Sequence, residues 1–159
     1  MMRIGFTGDI CFSGAFEKAI NGEILDPSLR SLLMGCDFVV GNIEGPITDS
    51  KSVSNSSKIN LKSETSCLQV LKELNINVWN LANNHINDYG RDAMAETMKH
   101  AEDMGCLTFG TLNKPYIVIT DASTSRKTAV IGLMQFYQAA DFQDYLFTNV
   151  HEAAIKDLI

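Results

Sequence analysis

No run of apolar residues in this sequence approaches the length needed to cross a bilayer. The opening residues, Met1 to Phe6, lead straight into a strand-like run and lack the basic n-region and long apolar h-region of a secretory leader. As it stands, the chain is expected to be cytoplasmic and to carry no membrane span. A surplus of positive charge is also missing, since 13 Lys and Arg against 19 Asp and Glu leave a net charge of −6. Phosphate backbones are bound by basic patches, so nucleic acid is not an expected partner, whereas a divalent cation suits this balance. Cysteine is sparse: Cys11, Cys36, Cys67 and Cys106 stand far apart, form no C-x-x-C pair and sit beside apolar or small residues. That pattern argues against a disulfide framework and predicts buried free thiols in a reducing compartment. Three motifs are absent as well: G-x-G-x-x-G after the first strand, G-x-x-x-x-G-K-[ST] and G-x-S-x-G. Their absence removes dinucleotide-binding, P-loop and hydrolase-elbow readings.

What is present suits one globular domain: 159 residues, of which 45% are hydrophobic. Short apolar runs at 4–7, 37–41 and 78–82 read as strands, and each stops at polar residues. Between them lie helical stretches. Asp26 supplies an N-cap, Pro27 a first helical residue, Leu29, Leu32 and Leu33 an apolar stripe, and Gly35 a stop. Leu68, Leu71 and Leu74 share a second helical face, with Ser63 as its expected cap and Glu64 favourable at the positive end. A longer helix over 89–104 buries Met94, Met98 and Ala101 and ends at Gly105. Runs at 107–110, 116–120 and 128–134 are further strands, the last two forming a hairpin, and Asn149 caps a final helix over 150–158. Strands alternating with helices predict an α/β fold with a mostly parallel sheet covered on both faces. The segment 49–58, with five serines and Val53 as its one aliphatic residue, reads as a solvated loop and a candidate flap.

In an open parallel sheet, ligands bind outside the carboxyl ends of the strands. Three strands deliver polar residues there: Asp9 from the first, Asn42 and Glu44 from the second, Asn84 and His85 from the third. Carboxylate and amide oxygens with an imidazole nitrogen form a ligand set for Mn, Fe, Zn or Mg. Asp9 or Glu44 is a candidate bridge between two ions, and His85 is either a ligand or a general acid. Each residue alone also has a plainer reading, as a turn residue or helix cap. Asp88 is read first as the cap of the long helix and second as a support for the site. His100 and His151, away from strand ends, read as surface or packing residues.

The runs Gly8-Asp9-Ile10, then 41–48 (GNIEGPIT), then 81–90 (LANNHINDYG) resemble, in this order and spacing, the poly-γ-glutamate capsule-synthesis (CapA) family. Residues 105–113 resemble its next segment, with Leu112 where a glycine is more usual. The resemblance implies a calcineurin-like metallophosphatase fold, mixed sheets flanked by helices (α/β/β/α), here as an incomplete half. It also implies a metal site at Asp9, Asn42, Glu44, Asn84 and His85, with Asn84 and His85 nearest the chemistry and up to two ions in the complete domain. The implied activity is that of a bacterial metal-dependent hydrolase or transferase in capsule biosynthesis, acting on poly-γ-glutamate, a related acidic polymer or a small molecule, often at the cell surface. A non-catalytic scaffold of the same fold and a general metallophosphoesterase are the alternatives. The family's later H-W-G-like and G-H-H-P-H-like motifs do not occur before Ile159. The expectation is therefore one domain over 1–159, truncated on its C-terminal side, with weak or absent metal binding and an open sheet edge that invites a homodimer.

Overall fold

A computed structural model describes residues 1–14, 26–54 and 59–134. Four strands, β1 (Ile4–Ile10), β2 (Phe38–Ile43), β3 (Val78–Asn80) and β4 (Leu107–Phe109), form a parallel sheet in the order β1-β2-β3-β4. Three helices connect them: α1 (Pro27–Met34), α2 (Leu68–Glu73) and α3 (Gly90–Asp103). Two further strands, β5 (Tyr116–Thr120) and β6 (Lys127–Ile131), pair antiparallel as the expected hairpin. The final helix expected over 150–158 lies outside the described residues.

Because the strands are laid down in sequential order, right-handed crossovers place every connecting helix on the same face. The side-chain alternation along β2 and β3 agrees. Val39, Ile43 and Trp79 pack with Leu33 of α1, Leu71 of α2 and Met94 and Ala101 of α3. Val40, Val78 and Phe109 face the other way and pack with Ile117, Ile119 and Val130 of the hairpin. The layers are thus helices, parallel sheet and hairpin. Both faces of the sheet are covered as expected, by helices on one and by the hairpin on the other, in agreement with part of a metallophosphatase-like α/β/β/α arrangement.

Local chemistry accounts for the element ends. The Asp26 side chain accepts from the Ser28 backbone N–H at 2.7 Å, capping α1 as its sequence predicts. α2 departs from expectation: a single 3-10 turn (Thr65–Cys67) precedes it, and Ser63 is not its cap. Ser63 is buried, bridges to Ile47 and accepts from the Phe12 N–H at 2.9 Å. Along α3 the buried positions are Ala93, Met94, Thr97 and Ala101, whereas Met98 points outward. The four cysteines are free, and burial pushes the Cys67 thiol up to about 12. No helix among the described residues is long and apolar enough to cross a membrane.

Candidate metal centre

The strands run further than their apolar stretches suggest, so Asp9 and Asn42 sit within β1 and β2 rather than beyond them. In the sheet register Asp9 pairs with Asn42, and Asn42 pairs with Asn80 of β3. One rung of three parallel strands is therefore polar throughout. Its alignment depends on an irregularity in β1: Phe6 pairs with Val40 and Asp9 with Asn42, so β1 spends one residue more than β2 over this stretch. Gly8, at φ +80°, falls in that bulge, where a side chain would be strained.

Around this rung the side chains converge. Asn42 Nδ2 donates to Asp9 Oδ1 at 2.7 Å and to Glu44 Oε2 at 2.6 Å. Asn42 Oδ1 accepts from Asn80 Nδ2 at 3.1 Å and from Asn83 Nδ2 at 3.3 Å. Asn83, buried, also donates to the Ile43 carbonyl at 2.7 Å and accepts from the N–H groups of His85 at 3.1 Å and Gly45 at 3.3 Å. It ties the turn after β3 to the turn after β2. Gly45 needs its glycine, because at φ +83° an added Cβ would lie 2.6 Å from the Leu61 carbonyl oxygen.

His85 reaches the same cluster, its Nε2 standing 4.0 Å from Glu44 Oε1. Its other ring nitrogen, Nδ1, lies 2.7 Å from Oδ2 of the fully buried Asp88. A carboxylate oxygen accepts, so Nδ1 carries a proton and Nε2 faces Glu44. The same Asp88 oxygen accepts from the Leu61 N–H at 2.7 Å. This reverses the order of roles expected of Asp88, because it holds the site histidine and Tyr89 occupies the N-cap position of α3. The serine-rich loop meets the same turn, with Ser54 Oγ donating to the carbonyls of Asn87 at 2.8 Å and Asp88 at 3.0 Å. Residues 55–58 of the expected flap lie outside the described residues.

Of the five residues singled out in the sequence, Asp9, Asn42, Glu44 and His85 thus share one cluster. Asn84, half-buried, lies in the turn between Asn83 and His85. Two contributors escaped the sequence reading, Asn80 and Asn83. Asn83 belongs to the quoted A-N-N-H string, whereas Asn80 was hidden inside an apolar run. Glu44 is the electrostatically loaded member: burial raises its carboxyl above the usual range, the Asp9 charge adds to this, and the Asn42 hydrogen bond opposes it.

The donor chemistry of Asp9, Glu44 and His85 fits a divalent cation, with Asp88 fixing the imidazole as an outer carboxylate does at many metal sites. Asn42 fits less well as an oxygen ligand, since it turns its nitrogen to the carboxylates. As the side chains stand, among the described residues no three of the His, Cys, Asp and Glu type close on a single point.

The model of one protein family, the bacterial capsule synthesis protein PGA_cap, matches residues 3–155. The chain belongs to this family. It is 32% identical over 102 residues to the PGA biosynthesis protein CapA of Bacillus subtilis (strain 168), a match covering 62% of this chain and 27% of that protein. It is 33% identical over 104 residues to the capsule biosynthesis protein CapA of Bacillus anthracis, covering 62% of this chain and 25% of the relative. The PGA_cap chain thus spans about a quarter of the length of these curated relatives.

Proposed function

We propose that this PGA_cap chain carries the metal-binding part of a capsule-synthesis enzyme, a metal-dependent hydrolase or transferase acting on poly-γ-glutamate or a related acidic polymer. The observation that supports it is the linking of Asp9 and Glu44 through Asn42, with His85 Nε2 4.0 Å from Glu44, at the carboxyl ends of adjacent parallel strands, where α/β enzymes bind ligands. Asp9, Glu44 and His85 Nε2 hold a divalent cation of the Mn, Fe, Zn or Mg kind. When bound, such an ion polarises a carbonyl or phosphoryl oxygen and lowers the pKa of a bound water.

The protein's own groups have separate tasks. Asp88 keeps the His85 ring in the tautomer whose Nε2 faces the cluster. Alternatively, with the ion held by the carboxylates alone, a His85 ring protonated on both nitrogens would give its Nε2 proton to a leaving group as general acid. The Asn83 side chain sets the position of His85 by accepting from its backbone N–H, and Asn84 lies between them in the same turn. An acidic polymer is repelled by a chain of net charge −6 unless a cation sits between them, which gives the ion a role in binding as well as chemistry. A second copy is the partner suited to the outer edge of β1, which no described strand covers.

The test introduces Asp9→Ala and His85→Ala into the full-length protein. Bound Mn, Fe, Zn and Mg are measured by elemental analysis, and cleavage or transfer of poly-γ-glutamate by chromatography. Metal content should fall in both variants together with turnover. Unchanged metal in both would remove the metal role, and wild-type turnover in both would remove the catalytic one.

A further inference from the structure

The two ends of an asparagine amide have the same shape, and only their neighbours decide which end points where. Here the neighbours leave no choice. Asn83 Oδ1 accepts from two backbone N–H groups and its Nδ2 donates to a backbone carbonyl, so it cannot be reversed. Asn80 Oδ1 accepts from the Ala82 N–H at 3.2 Å, which fixes its Nδ2 towards Asn42. Asn42 Oδ1 therefore receives two amide donors, and its Nδ2 meets two carboxylates. Turning Asn42 over would oppose like partners at all four contacts.

We infer that Asn80 is a positioning residue of this site: together with Asn83 it locks Asn42 as a hydrogen-bond donor that bridges Asp9 and Glu44, with its oxygen withheld from any bound ion. The inference rests on reading this cluster as the functional site, and it replaces a ligand role for Asn42 by a structural one. The bridging amide sets the spacing of two carboxylates that would otherwise push apart. Asn80 itself is held by close packing. A Cβ added at Gly110 would lie 2.6 Å from Asn80 Oδ1, and one added at Gly132 would lie 2.5 Å from it. Two glycines from the ends of β4 and β6 thus make the slot in which this amide fits, and the hairpin layer is tied to the site through it.

The experiment is proton NMR on the isotope-labelled full chain, without metal. The Asn42 side-chain NH2 pair is identified by its loss in Asn42→Asp. In the unaltered chain this pair should show nuclear Overhauser contacts to the Asp9 and Glu44 side-chain protons. In Asn80→Asp, which is isosteric and keeps an acceptor for the Ala82 N–H, an oxygen replaces the donor and confronts the Asn42 oxygen, so the Asn42 side chain should be displaced and those contacts should weaken while the α3 backbone signals stay in place. NH2 contacts to the Asn80 and Asn83 side chains in the unaltered chain would overturn the inference. So would contacts to Asp9 and Glu44 that stay at full strength in a folded Asn80→Asp variant. The unaltered chain decides the orientation alone should that variant not fold. Neither metal nor substrate enters the measurement, so its failure is distinct from a failure of the proposed function.

Discussion

Burial and the neighbouring Asp9 charge both raise the Glu44 carboxyl. A group whose folded pKa is raised binds its proton more tightly in the folded chain, so its contribution is most favourable below the unfolded value and is lost as pH rises through the folded one. At neutral pH and without metal, ionised Glu44 is then a cost to the fold. Glu44→Gln, which can still accept from Asn42, should raise the Tm in EDTA at pH 7 to 8, and the gain should shrink as pH falls towards the ordinary glutamate value of 4.5. A scanning melt at several pH values checks it. Cys67 offers a second residue-scale prediction: with its thiol pushed up to about 12 by burial, it should resist a thiol reagent at pH 8 until the chain is denatured, as peptide mapping would show. At this scale polar residues that follow apolar runs, Asp9, Glu44 and His85, were legible as candidates, and the fold brings them near one another. Asn80 was missed because a polar residue inside V-W-N-L-A carries no outward sign that its rung is polar across three strands. Asp88 was misjudged because adjacency to a helix start suggests a cap, whereas the tight turn from His85 brings the two side chains together.

Among the elements, α3 shows how a period can be right and a face slightly wrong. Its start, end and glycine stop were legible, but Thr97 takes the buried place assigned to Met98. The reason is a hydrogen bond rather than hydrophobicity. Thr97 Oγ1 accepts from the Ile47 N–H at 2.8 Å and donates to the Ala93 carbonyl at 2.8 Å, which joins α3 to the loop that follows Glu44. Thr97→Val keeps the shape and leaves a buried N–H without its acceptor, so it should cost about 1–3 kcal/mol. Urea unfolding with an unchanged slope is the measurement. For α1 the cap was legible in full. Because Ser28 holds the Asp26 carboxyl below its usual range, Asp26→Ala should lower the Tm at pH 7, and that loss should disappear as pH falls below the unfolded aspartate value. Ser63 fails as a cap for a reason of longer range, since its pairing with Ile47 and its bond to Phe12 draw it into the core.

For the whole molecule, the α/β class and the hairpin could be read from alternation and turn signals, but the layer order could not. That order follows from the strands being sequential neighbours, which puts all three helices on one face and leaves the other to the hairpin. Ile119, 2% exposed in that second core, should cost about 2–5 kcal/mol when cut to Ala, comparable with a loss in the helical layer. A much smaller cost would mean the hairpin is not a firm layer of the fold. That layer reaches the cluster, because Gly132 at its end packs on Asn80. The proposed function requires Asp9, Glu44 and His85 to form one cation site, and crystals grown with excess Mn2+ test this most directly. Anomalous scattering should place an ion against both carboxylates and His85 Nε2, with the Asn42 oxygen turned away. A manganese peak elsewhere, or none at this cluster with Mn2+ in excess, would contradict it.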